Sequence, residues 1–200
     1  MSGNNPLGAS ACALLTAIRT TSATFWTIRP PRGRENTPVT WVTWYAAAAF
    51  CEWAGFLLPT EAQWEYAAKG GENLRYATTN GALLPRLANY GGKVGAPTPV
   101  RRYPPNPFEL YDLAGNVWEW CADRYEPDFY RQPAATAKNP ICGPRLRFRE
   151  GDWKKALGPF VIRGGSWQSL SMDLRTSARA HQDGTLPSAF CGFRCVLPPD

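Results

Sequence analysis

Two hundred residues, 44% of them apolar, suffice for one domain with a sizeable core. A single His excludes metal sites built on several histidines and any Ser-His-Asp triad not using His181. The net charge of +6 is carried mostly by Arg and forms no dense basic run, so nucleic acid is not the expected partner.

Along the chain, Met1–Pro6 shows no basic segment leading into an apolar one, so no signal peptide is legible and a cytoplasmic setting is expected. No apolar run reaches the length of a membrane span. Ala11–Ile18 reads as a short helix, and Thr27–Glu35 as an exposed loop broken by proline. Tyr45–Ala54 is Ala-rich and helical, with Thr43 as N-cap and Gly55 as the stop. A second helix follows Pro59. Thr60 and Gln63 form a capping box, Glu61 sits in the first turn, and Gly70–Gly71 ends it after Lys69.

The stretches 71–107 and 127–158 are rich in Gly, Pro and Asn and lack periodicity, which suits a fold with long ordered loops. Between them Val117–Cys121 reads as a short aromatic strand in which Trp118 and Trp120 alternate, so that one of the two packs inward. Phe160–Arg163, Leu174–Ala180 and Gly192–Leu197 read as further strands, making the class α+β. The six Cys contain no C-x-x-C pair and are expected to be mostly small buried apolar residues. Cys191 and Cys195, about 13 Å apart at strand rise, are too distant for a mutual disulfide.

Four segments occur in a recognisable order: VTWYAAAAFCEWAGFLLPTEAQWEYAAKGG (42–71), NPFELYDLAGNVWEWCADRY (106–125), RGGSW (163–167) and GFRC (192–195). They resemble the formylglycine-generating enzyme, or sulfatase-modifying factor, family over residues 34–200, while 1–33 is divergent or truncated and lacks the family's glycine–methionine motif. The resemblance implies a C-type-lectin-like fold with two helices, short antiparallel strands and long packed loops. It also implies two copper(I)-binding cysteines shortly after RGGSW. Counting forward places Ser169 and Leu174 there; counting back from Arg175 and Arg179 places Ser171 at the second. Serine is a poor ligand for this soft ion. No enzyme is therefore expected, and no catalytic residue is assigned. Trp118 and Ser166 match positions lining the family's groove and are read as scaffold.

The family's calcium site would use the carboxylates of Asp112 and Glu119 with the carbonyls of Gly115 and Val117, or the two acids would pin the loop without metal. Calcium is thus admitted but no cofactor is required. A second calcium place would use Asn89, whose acidic partner is missing, with Arg101 and Arg102 nearby instead.

The nearest resemblance is to the variable proteins of diversity-generating retroelements, which keep RGGSW, two framework arginines and a terminal GFR and diversify the residues between by mutating template adenines. Here the region is 163–195. The expected ligand-binding positions are Ser169, Leu170, Ser171, Met172, Asp173, Ala180, His181, Asp183, Thr185, Ser188, Ala189, Phe190 and Cys191. Adenine mutagenesis of an Asn codon cannot yield Gln or Met, so Gln168, Met172 and Gln182 are fixed or come from another codon. Leu170 and Phe190 either form part of an apolar-plus-polar binding surface or point inward. The function implied is non-catalytic binding of an unknown protein or surface ligand. The alternatives are a copper-dependent formylglycine-generating oxidase and an inactive member with a fixed partner role.

Overall fold

In the computed structural model, residues 33–143 and 152–198 are described. Helix α1 spans Trp44–Trp53. The Thr43 hydroxyl accepts from the Ala46 amide at 3.1 Å, and Gly55 turns the chain away at φ +78°. Helix α2 spans Glu61–Lys69. Its capping box closes in both directions, at 3.1 Å and 2.9 Å, and Gly70 ends it at φ +60°. These boundaries fall within a residue of those expected, because caps are made by side chains three residues from the amides they satisfy.

Strands β1 (Trp118–Arg124), β2 (Pro159–Arg163), β3 (Ala180–Asp183) and β4 (Cys191–Gly192) form one sheet in the order β3-β2-β1-β4. β2 runs antiparallel to β1 and β3, whereas β4 runs parallel to β1, so the sheet is mixed. Two expected strands change. Leu174–Ala180 is not a strand: Ser171–Leu174 is a single 3-10 turn, and Thr176 is tied to the first long loop through Arg75 and Leu74 carbonyls. Gly192–Leu197 shrinks to Cys191–Gly192, and Val196 instead pairs with Leu57 as an isolated bridge at 2.8 Å and 2.9 Å. In both cases a long-range partner outcompetes the local pattern.

Alternation along β1 and β2 divides the core. Trp120, Ala122, Phe160 and Ile162 face α1, where Trp44, Ala47, Ala48 and Cys51 are fully buried. The Trp44 and Phe160 rings stack at 3.8 Å. Cys121 and Val161 face the other way, against Trp64 and Ala68 of α2 and against Leu113 and Leu174. The first long loop is ordered by buried amides. Asn106 donates to the Ala67 carbonyl at the end of α2, at 2.7 Å, and Asn116 Oδ1 accepts from Thr98 N–H at 2.8 Å. Gly115 takes a positive φ against the Asn89 carbonyl, where any Cβ would collide with backbone. Ala11–Ile18, residues 27–32 of the expected N-terminal loop and 144–151 of the second long loop lie outside the described residues; residues 33–35 form an exposed turn. No described helix is long and apolar enough to cross a membrane.

Candidate ligand-binding face

A buried charge network fastens the segments that flank this face. On the α2 side of the sheet Arg163, fully buried, donates to Glu61 at 3.0 Å, to the Thr176 carbonyl at 2.6 Å, and to Glu65. Arg179 grips Glu61 with two bonds of 2.8 Å and reaches the Glu126 and Pro127 carbonyls, so it fastens the start of the second long loop. Of the two expected framework arginines, Arg179 is thereby a structural clamp. Arg175 is exposed and donates to the Met172 carbonyl at 3.0 Å, closing the turn that precedes it. Asp123 accepts from the Glu61 and Cys142 amides at 2.6 Å and 2.8 Å, and burial pushes its carboxyl up to about 7.

On the other face of the sheet, the one turned to α1, lies a shallow cavity of about 290 Å³, lined by Trp118, Ile162, Ser166, Gln168, Ser169, Gln182, Ser188 and Phe190. The structure brings Ser169, Ser188 and Phe190 together there. The Ser169 hydroxyl accepts from the Ser166 amide at 3.0 Å and lies 3.2 Å from the Ser166 hydroxyl. Phe190 is half-buried, its ring 5.3 Å from that of Trp167, and its amide donates to the Ser188 hydroxyl. Trp118 and Trp120, two residues apart on β1, point to the same face and both pack toward α1, contrary to the expectation that only one of them does; Trp120 is fully buried, and Trp118, at the strand's start, is half-buried at the cavity.

Other expected positions sit outside the lining. Leu170 and Met172 are 65% and 61% exposed on the turn after the cavity, beside exposed Ser171, and Asp173 accepts from the Leu170 amide at 3.1 Å. Leu170 therefore points outward. Along β3, Ala180 and Gln182 are half-buried while His181 and Asp183 are exposed, so alternation separates these two from the cavity-lining Gln182. The His181 ring instead lies 4.4 Å from that of Tyr125. Asp183 accepts from the Thr185 amide and hydroxyl, closing the turn in which exposed Thr185 sits, and Ala189 is half-buried. Cys191 is corrected: as part of β4 beside Trp118 it is fully buried in the α1 core and offers no atom to a ligand.

Sequence reasoning missed Ile162 and left Gln168 and Gln182 off the binding positions; strand alternation around buried Val161 and exposed His181 was the signal for Ile162 and Gln182. It also missed Trp41, 68% exposed at φ +59°, whose amide donates to the Ser188 carbonyl at 2.8 Å beside the face. No local pattern marks Trp41.

The places where the resemblance puts copper-binding cysteines hold no thiol. Ser169 lines the cavity, Ser171 is exposed, and Leu174 is fully buried against Gly165 and Gly115. The acids of the 112–119 loop are engaged by protein donors to different degrees. Both Glu119 oxygens are taken, by Arg194 at 2.5 Å and 2.6 Å and by the Trp64 indole at 2.7 Å. Asp112 accepts from the Arg101 amide at 2.8 Å through one oxygen, while its other oxygen is buried without a partner, and burial raises its pKa. Glu119 thus already has its counter-charge, and a cation there would face the Arg194 guanidinium. Among the described residues no three His, Cys, Asp or Glu side chains converge as a metal site.

The model of the sulfatase-modifying factor enzyme 1-like domain matches residues 18–198. A protein named serine/threonine-protein kinase pkn1 from Chlamydia pneumoniae is 43% identical over 165 residues, covering 82% of this chain and 24% of that protein. The formylglycine-generating enzyme of Streptomyces coelicolor is 36% identical over 186 residues, covering 84% of this chain and 55% of that enzyme. The chain therefore spans about a quarter of the first relative and about half of the second. Among solved structures, variable protein 1 of Treponema denticola superposes with a TM-score of 0.66 at 27% identity, covering 86% of this chain and 75% of the other.

Proposed function

This chain belongs to the sulfatase-modifying factor enzyme 1-like family, and from that premise we propose that it is a non-catalytic member that displays a diversified ligand-binding surface on residues 168–191. The observation that carries the reading is the content of the two copper places. An oxidase of this kind needs paired thiolates at the groove, and this groove offers the Ser169 hydroxyl and, one turn on, either exposed Ser171 or a leucine locked in the core. The likeness to a variable protein supports the reading further. So does the division of labour in the region: RGGSW, Arg179 and the GFR arginine are buried or bonded into the framework, while Leu170, Ser171, Met172 and Thr185 stand in solvent.

The ligand would be a protein or another surface-borne group. Two measurements test the reading. Copper(I) titration with a Cys-containing client peptide is expected to show neither tight binding nor aldehyde formation; turnover would restore the oxidase named among the relatives. Sequencing the surrounding DNA is expected to reveal a near-copy of the 3′ coding end that differs mainly at adenines, beside a reverse transcriptase gene. Its absence would leave a fixed partner role instead.

A further inference from the structure

The cavity on this face has a chemical bias. Its apolar surfaces are the Trp118 and Phe190 rings and the Ile162 side chain. Every remaining lining side chain is a neutral hydrogen-bonding group, a serine hydroxyl or a glutamine carboxamide, and none is ionisable, in a chain of which 19% is charged. The hydroxyls keep spare capacity. Each is one donor and two acceptors, and the Ser166–Ser169 pair uses only part of this in its mutual contact and in accepting two nearby amides.

Occupants can be sorted by what they would lose. An ionised group would surrender hydration without meeting a counter-charge. A wholly apolar group would cover hydroxyls and carboxamides with nothing to bond them. A saturated ring in a chair form, with one C–H face and a rim of uncharged hydroxyls, loses neither. Its C–H face lies on an aromatic ring, and its hydroxyls exchange water for Ser and Gln partners.

We propose that this cavity binds a neutral pyranose, as the exposed hexose of a glycan. The proposal rests on the reading of residues 168–191 as a ligand face and names what that face takes. About 290 Å³ accommodates one such ring, with Phe190 and Trp118 as stacking surfaces and Gln168, exposed at the mouth, as a hydroxyl partner.

The test uses the full chain and defined probes: the methyl glycosides of glucose, galactose, mannose and N-acetylglucosamine, with methyl glucuronide as the charged counterpart of the first. Saturation-transfer NMR is expected to show saturable binding of at least one neutral glycoside, with Kd of about a millimolar. The glucuronide is expected to bind about tenfold more weakly than the glucoside. Phe190→Ala and the more conservative Gln168→Glu should each weaken the neutral sugar about tenfold, with the melting temperature kept by the second. Failure of all four neutral glycosides, equal binding of the glucuronide, or indifference to both substitutions overturns the proposal. None of those results bears on the copper and template experiments, so the sugar assignment can fail while the ligand face stands.

Discussion

Glu119 shows how a single pairing decides what a residue can do. Its carboxylate is 5% exposed and accepts three bonds from Arg194 and Trp64, so its charge is already matched by a guanidinium. Adding millimolar calcium is therefore expected to leave the melting temperature unchanged. A rise abolished by Asp112→Ala would show instead that the open Asp112 oxygen recruits the ion. Asp123 carries the opposite burden. Burial lifts its folded pKa to about 7 from an ordinary 3.8, so the folded state holds a proton that the unfolded chain has already released. Its contribution is fully present below about pH 4 and is lost as pH rises through about 7. Urea denaturation should show this group's share of stability falling by a few kcal/mol across that window, at about 1.4 kcal/mol for each pH step of one. Asp123→Asn should flatten the slope, at the cost of turning an amide hydrogen toward the Glu61 or Cys142 amide; an unchanged slope would remove Asp123 as its source.

Between elements, the link from α1 to the C-terminal segment is of particular interest. Cys51, on the inner face of α1, has its sulfur 3.1 Å from that of Cys195, beyond β4. Their hydrogen bond raises the pKa of the Cys51 thiol and lowers that of Cys195, leaving one poised nucleophile against one poised partner. With diamide as oxidant these two should form a disulfide, the two hydrogen atoms passing to diamide, read as that loss in mass and prevented by Cys51→Ala. Closing a loop of this length should add roughly 2–4 kcal/mol to stability. Labelling of Cys195 by iodoacetamide after diamide treatment would refute it. The sequence allowed only the exclusion of Cys191 with Cys195, since their spacing along one segment was known and the distance from α1 was not.

The molecule as a whole separates framework from display. Arg179 sits where α2, β3 and the second long loop meet, and removing it would strand the fully buried Glu61 beside Arg163 alone. Arg179→Ala is expected to cost about 3–5 kcal/mol. Leu170→Asp and Met172→Ser, on exposed side chains of the neighbouring turn, should each change stability by no more than about 0.5 kcal/mol. Thermal or urea denaturation of the three variants decides the point. A loss of several kcal/mol at Leu170 or Met172 would show that this turn belongs to the framework and is not free to vary.

Some of this was settled by sequence alone. The two helices and their caps were legible because the Thr60–Gln63 exchange and the glycine stops act within a few residues. The family was legible because its anchors are residues whose buried partners leave no alternative: Arg163, Gly164, Gly165 and Arg194. Tertiary structure alone decided the rest. It turned Leu174 into the core and Leu170 into solvent, put Gln182 in the cavity and His181 on the other side of β3, and buried Cys191. It also paired Glu119 with Arg194, 75 residues away. Each of these depends on which face of a strand meets the core, or on a partner dozens of residues away. Neither is written in local composition, because the deciding energy comes from contacts that exist only once the chain has closed on itself.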